Sequence, residues 1–178
     1  SLRVSALIEL VGDRTRELLG EQFPDDQVPT PVPEIIVAPH SQVVVAVDLD
    51  RLGEIAARAD VVLHVVPSIG QFVPAGAPLV RIDGPTDRVP PDEVRDAVKM
   101  ALERTLEEDV AYGFRLLVDM AERALSESPF LDPTTAVQCI DRLHDGLRQL
   151  STRRIPDGAM RVDGIVRATI STPACEWS

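Results

Sequence analysis

Four short, β-branched stretches between residues 34 and 82 constrain the fold more than any other feature of this sequence. They read EIIVAP, QVVVAV, DVVLHVV and PLVRI, and each is bounded by proline, glycine or a polar residue. Segments of this length and composition predict β-strands. The intervening DLDRLGEIAARAD has helical periodicity, and Asp48 is suited to cap its N-terminus. We therefore predict a small twisted β unit, barrel-like or sandwich-like, with one inserted helix over residues 35–89.

Helical periodicity dominates the two flanking regions. Apolar residues at helical spacing predict a leading amphipathic helix over residues 1–24, and FPDDQVPTPVPE predicts a proline-rich linker over 25–34. Residues 90–155 predict an antiparallel helical bundle. Its first helix is predicted from a stripe of Val94, Ala97, Val98, Ala101 and Leu102. Two longer helices are expected over about residues 107–125 and from Ala136 to Leu150.

Two Asp-Gly pairs, at 157–158 and 163–164, predict a turn-rich β tail over residues 156–178. With the elements before it, the tail gives an α+β fold class. The chain enters its first helix at once, and Trp177 lies one residue from the end. We therefore expect this chain to have been cut from a longer protein, with a tail that is truncated.

The stretch ALSESPFLDPTTA joins the last two helices and contains several hydroxyls and carboxylates. Asp132 is placed to accept hydrogen bonds from the amides of Thr134 and Thr135, and Pro133 occupies the first helical position. These residues are accounted for by helix initiation, so catalysis is not needed to explain them.

Composition and missing motifs exclude several classes of function. The net charge of −11 disfavours nucleic acid and anionic lipid headgroups as partners. The three histidines are far apart in sequence, and no metal-binding, nucleophile-elbow or phosphate-loop motif is present. We therefore predict no metal, no cofactor and no nucleic acid partner, and a non-enzymatic protein is favoured. His64 is expected to be a half-buried strand residue, and Cys139 a buried thiol.

The stretch GQFVPAGAPLVRI resembles the half-motif of biotinyl and lipoyl carrier domains. Those carriers attach their cofactor to a lysine at the tip of a hairpin. Lys99 is the sole lysine of this chain and is predicted to lie within a helix. This placement argues against a carrier role.

Arg104 and Asp109 are the polar residues best placed for a structural or a ligand-binding role. Asp109 is suited to cap the second long helix, and Arg104 to bridge to Asp132 or Asp119 across the helix pair. A structural cap or ion pair formed by Asp132, Pro133, Thr135 and Arg104 is the favoured interpretation. The alternative is a ligand pocket lined by Arg104, Asp109 and Asp132, between the β unit and the helices.

The run RTLEEDVAYGFRLLVDMAERALSESPFLDPTTAVQCIDRL, residues 104–143, resembles an uncharacterised bacterial family of predicted membrane proteins. The resemblance rests on Arg104-Thr105, Asp109, Tyr112-Gly113, the LVDMA and RALS segments, Asp132-Pro133 and Thr135-Ala136. Leu131 departs from that family, which has asparagine before the Asp-Pro pair. The resemblance implies that transmembrane helices precede this chain in the full-length protein and that the chain is the soluble C-terminal region behind them. It brings no catalytic residues.

Two functional hypotheses follow. The first is a non-enzymatic soluble domain of a bacterial membrane protein, on the cytoplasmic side, that serves self-assembly or sensing and gating as a homo-oligomer. The second is a small-molecule binding or hydrolytic domain that uses the polar pocket near Arg104, Asp109 and Asp132.

Overall fold

The computed structural model describes residues 2–22, 32–106, 109–126, 132–154 and 156–171. Most of the predicted linker, the loop 127–131, and Cys175 and Trp177 lie outside these residues. The chain divides into two compact units, residues 1–32 and 33–178. The first unit contains helix α1 (Leu2–Gln22), on which Leu7, Ile8 and Val11 are exposed.

The described residues of the second unit form eight strands and four helices. The strands are β1 (Ile35–Val37), β2 (Gln42–Val47), β3 (Val62–Val65), β4 (Phe72–Val73), β5 (Pro78–Asp83), β6 (Val98–Ala101), β7 (Ala159–Val162) and β8 (Ile165–Ile170). The helices are α2 (Leu49–Ala59), α3 (Pro91–Asp96), α4 (Val110–Ser126) and α5 (Pro133–Ser151). The predicted α+β fold class is confirmed.

The core is aliphatic and lies where α2 packs on the larger sheet. Leu52 and Ile55 of α2 are fully buried, as are Leu63 of β3 and Val80 of β5. The side chain of Asp48 accepts a hydrogen bond from the backbone N–H of Arg51 at 2.9 Å. The predicted inserted helix and its cap are therefore confirmed. The prediction succeeded because the alternating strand patterns and the capped amphipathic helix agree locally with the final packing.

The strands form two open sheets, with the orders β1-β5-β3-β8-β7 and β4-β2-β6. Neither order closes on itself among the described strands, so the barrel-like part of the prediction is wrong. The tail strands β7 and β8 belong to the larger sheet, where β8 pairs parallel with β3. That pairing joins residues more than 100 positions apart. Local sequence patterns carry no information on such partners.

The helix predicted from the stripe Val94 to Leu102 is wrong in its second half. Helix α3 ends at Asp96, and the next residues form β6, which pairs antiparallel with β2. Val94 and Val98 are buried, as a helical stripe also requires. Six residues make a marginal helix, and the edge of β2 offers backbone partners that extending α3 would leave unused. Lys99 is therefore an exposed residue of strand β6, neither within a helix nor at a hairpin tip.

Helices α4 and α5 form an antiparallel hairpin and pack chiefly against each other. They approach closely at Gly146, where an added Cβ would lie 2.8 Å from Cε1 of Phe114. Cys139 of α5 is buried and free, as predicted. No residue of α4 is buried, although most of its residues are apolar.

Candidate functional site

The side chains of Arg104 and Asp109 form an ion pair at the base of the hairpin. Oδ2 of Asp109 accepts from Nε of Arg104 at 2.9 Å and from Nη2 at 2.7 Å. The other carboxylate oxygen accepts from the backbone N–H of Tyr112 at 2.8 Å and so caps α4. Asp109 is 5% exposed. Both oxygens of this buried carboxylate are thus engaged.

Two further groups fix the guanidinium of Arg104. It lies over the ring of Tyr112, with 4.8 Å between Cζ and the ring centroid. On another side is Gly70, in the loop between β3 and β4. An added Cβ at Gly70 would lie 2.6 Å from Nη2 of Arg104 and from Oδ2 of Asp109. The ion pair therefore sits against the backbone of the β unit, where a side chain has no room.

Nothing in the sequence identified Gly70 as a member of this cluster. Its φ is +85°, a conformation that favours glycine, and its N–H donates to the carbonyl of Val44 at 2.7 Å. The stretch SIGQF has the appearance of an ordinary turn. A local pattern cannot reveal that an ion pair more than thirty residues away packs on it.

Asp132 lies apart from this cluster. It is the N-cap of α5, at the far end of α4, and seventeen residues of helix separate the two ends by about 25 Å. Its carboxylate accepts from the N–H of Thr135 at 3.1 Å and from the Thr135 hydroxyl at 2.5 Å. The predicted bridge from Arg104 to Asp132 or Asp119 is wrong, because Arg104 pairs with Asp109 and Asp119 pairs with Arg115.

The cluster of Arg104, Asp109, Tyr112 and Gly70 is arranged to hold the hairpin on the β unit. A carboxylate whose two oxygens already accept three hydrogen bonds is poorly suited to act as a general base or a metal ligand. Among the residues that the structure describes, no group of three or more His, Cys, Asp or Glu side chains is arranged to hold a metal ion.

Acidification is expected to loosen the first turn of α5. The hydrogen bonds from Thr135 hold the pKa of Asp132 below its ordinary value of 3.8. The folded-state pKa is lower than the unfolded-state pKa, so the unfolded state binds more protons as the pH falls. The stability that these hydrogen bonds contribute is therefore lost as the pH falls through the folded-state pKa. In an NMR titration, the amide shift of Thr135 should change with a midpoint below pH 3.8. Asp132→Asn keeps a capping oxygen and should abolish that transition, whereas a midpoint above 3.8 would contradict the assignment.

Among the described helices, none is both long enough and apolar enough to cross a membrane. A model of the protein family described as "Predicted membrane protein (DUF2254)" matches residues 1–177. The chain is 32% identical over 180 residues to uncharacterized proteins of Mycobacterium bovis and Mycobacterium tuberculosis, covering 90% of this chain. It spans only 34% of the length of these relatives. No solved structure matches the chain.

Proposed function

The chain belongs to the DUF2254 family of predicted membrane proteins, and on this premise we propose that it is a non-enzymatic domain outside the bilayer that assembles with a second copy of itself. The α4–α5 hairpin is the proposed interface. The observation that carries this proposal is the exposure of apolar side chains along one side of the hairpin. A position on the cytoplasmic side of the membrane stays a prediction.

The exposed side chains follow helical spacing on both helices. Ile140 and Leu147 are two turns apart on α5 and are each 54% exposed. Val118 and Leu125 are two turns apart on α4. At 100° per residue, these positions lie on the same side of the hairpin. We define the apolar face as Val118, Leu125, Val137, Ile140 and Leu147.

The opposite side of the hairpin is different in character. It carries a groove of about 580 Å³ whose lining includes Thr135, Gln138 and Arg142 beside Met120. Of the exposed apolar side chains on the two helices, Met120 lies on this side and is 49% exposed, whereas the five of the apolar face lie on the other side. Two such faces brought together would make a four-helix bundle, in which each hairpin covers the other.

The area of the apolar face sets the expected strength of association. Covering the exposed half of one such side chain contributes about 1 kcal/mol, so ten from two copies give about 10 kcal/mol. Association itself costs at least about 4 kcal/mol. The remaining 6 kcal/mol corresponds to a dissociation constant of tens of micromolar. Such weak pairing suits a domain tethered to a membrane, where attachment raises the local concentration.

The way the hairpin is attached supports a link between assembly and gating. Its two helices pack chiefly on each other, and the cluster around Arg104 and Asp109 holds their base on the β unit. A change in pairing at the apolar face would therefore act on the β unit mainly through this base. Sensing or gating would use that connection.

Light scattering as a function of concentration tests the proposal on this chain. The mass should rise from 19.4 kDa toward twice that value as the concentration passes about 100 µM. Ile140→Asp places a charge in each half of the interface and should weaken pairing at least about tenfold. Gln149→Asp places the same charge away from the apolar face and should leave pairing unchanged. A mass of 19.4 kDa up to about 500 µM would contradict the proposal.

The alternative of a small-molecule binding or hydrolytic domain gains no support from the geometry. Arg104 and Asp109 are engaged with each other, and Asp132 caps a different helix. The three side chains do not line one pocket. The alternative therefore stays a prediction that no observation favours.

A further inference from the structure

Three polar side chains form a row across one face of the five-stranded sheet. Arg81 on β5 lies opposite His64 on β3, and His64 lies opposite Thr169 on β8. Residues directly opposite each other on neighbouring strands share a face, with Cβ atoms about 5 Å apart. Leu63 and Val65 are buried in the core, so the His64 side chain lies on the other face of the sheet.

One hydrogen bond in this row fixes the imidazole ring. Nδ1 of His64 and Oγ1 of Thr169 are 2.8 Å apart, and His64 is half-buried as its sequence pattern predicts. Within the described ranges, neither Nε2 of His64 nor the guanidinium of Arg81 has a hydrogen bond or ion pair. Two nitrogen-bearing groups next to each other are thus available to a ligand.

These side chains line a groove of about 420 Å³. It lies where the parallel strands β3 and β8 reach their carboxyl ends together. The hydroxyl of Ser68 donates to the carbonyl of Ser171 at 2.9 Å and ties the two strand ends together. The groove is therefore lined mainly by strands of the larger sheet, with Val66 and Ser171 just beyond the ends of β3 and β8.

We propose that Arg81, His64 and Thr169 bind a phosphate group. The guanidinium fork matches two oxygens of an oxyanion. The hydrogen-bonded pair of His64 and Thr169 supplies a third donor, which is Nε2–H when the hydroxyl donates to Nδ1 and the hydroxyl when Nδ1 carries the proton. Phosphate offers at least three acceptor oxygens to this set, whereas a carboxylate offers two. Asp83 lies two residues along β5 on the same face, about 7 Å from Arg81, and weakens the positive field without lining the groove.

Titration of the chain with inorganic phosphate, followed by NMR at constant ionic strength, tests this site. Saturable shifts should be confined to the ring of His64 and to the amides around residues 81 and 169. Arg81→Gln should weaken binding about tenfold, because it removes a charge-assisted pair of hydrogen bonds. Asp83→Asn should strengthen binding about twofold. Arg123→Gln, at an exposed position of α4 outside the groove, should leave phosphate binding unchanged.

A second arm identifies the source of the phosphate group. Vesicles containing phosphatidic acid should bind the chain in sedimentation only if a lipid headgroup enters the groove, and Arg81→Gln should then abolish that binding. If vesicles bind the Arg81→Gln variant as well as the unmodified chain, the proposed phosphate site is contradicted. Phosphate shifts that are scattered, that do not saturate, or that are equal in parent and Arg81→Gln would also overturn the proposal. His64→Gln, checked for folding by circular dichroism, provides an independent second variant.

Discussion

Gly70→Ala is expected to lower the free energy of unfolding by about 3 kcal/mol. At φ +85° the new residue adopts a left-handed conformation that costs about 1 kcal/mol for a residue other than glycine. Its Cβ would also lie 2.6 Å from both members of the Arg104–Asp109 pair, which must separate or shift. Urea-induced unfolding followed by circular dichroism measures the loss.

Gly76→Ala is the matched control for this variant. Gly76 has nearly the same φ, +81°, but nothing lies within 4 Å of its added Cβ. It should therefore show only the backbone cost of about 1 kcal/mol. The difference between the two variants measures the contact with the ion pair. Equal losses at both positions would show that the pair tolerates a side chain at Gly70.

Asp109→Ala is expected to cost about 3 kcal/mol of stability. The variant removes the partner of Arg104 and the cap of α4 together. Breaking a fully buried ion pair would cost more stability. The Arg104 side chain is 34% exposed, so it stays partly hydrated after its partner is removed. Asp109→Asn keeps a capping oxygen and loses only the charge, so its cost should be about 2 kcal/mol.

Asp119→Asn serves as the comparison for Asp109→Asn. Asp119 also pairs with an arginine, but on the surface of α4, where such pairs contribute below about 0.5 kcal/mol. Hydrogen exchange should show the α4–α5 amides opening more readily in Asp109→Asn than in Asp119→Asn. If both variants are equally stable, the ion pair does not hold the hairpin.

Much of the fold was predictable because local preference and final packing agree. The strands at 35–37, 42–47, 62–65 and 78–83 have β-branched alternation, and α2 has a cap and an apolar stripe. The start of α5 was likewise marked by Asp132 and Pro133. Each of these signals is contained within a few residues, so it needs no knowledge of partners.

The errors occurred where a distant partner decides the outcome. Val98 to Ala101 fit a helical stripe, yet the backbone of β2 makes them a strand. The error at Arg104 is the opposite case: it was expected to reach Asp132 or Asp119 across the helix pair, whereas Asp109, only five residues along the chain, accepts from its Nε and Nη2. Nothing near Gly70 in the sequence indicates that an ion pair packs on its backbone.

The parallel pairing of β3 with β8 has a consequence for synthesis of this region. Leu63 is synthesised about one hundred residues before Ala168, its register partner in β8. The middle of the sheet is therefore incomplete until Ala168 has left the ribosome. The α4–α5 hairpin, made in between, has short-range contacts and is able to form first. During that interval β3 lacks a neighbour on one side, and its exposed backbone is open to aggregation with other nascent chains.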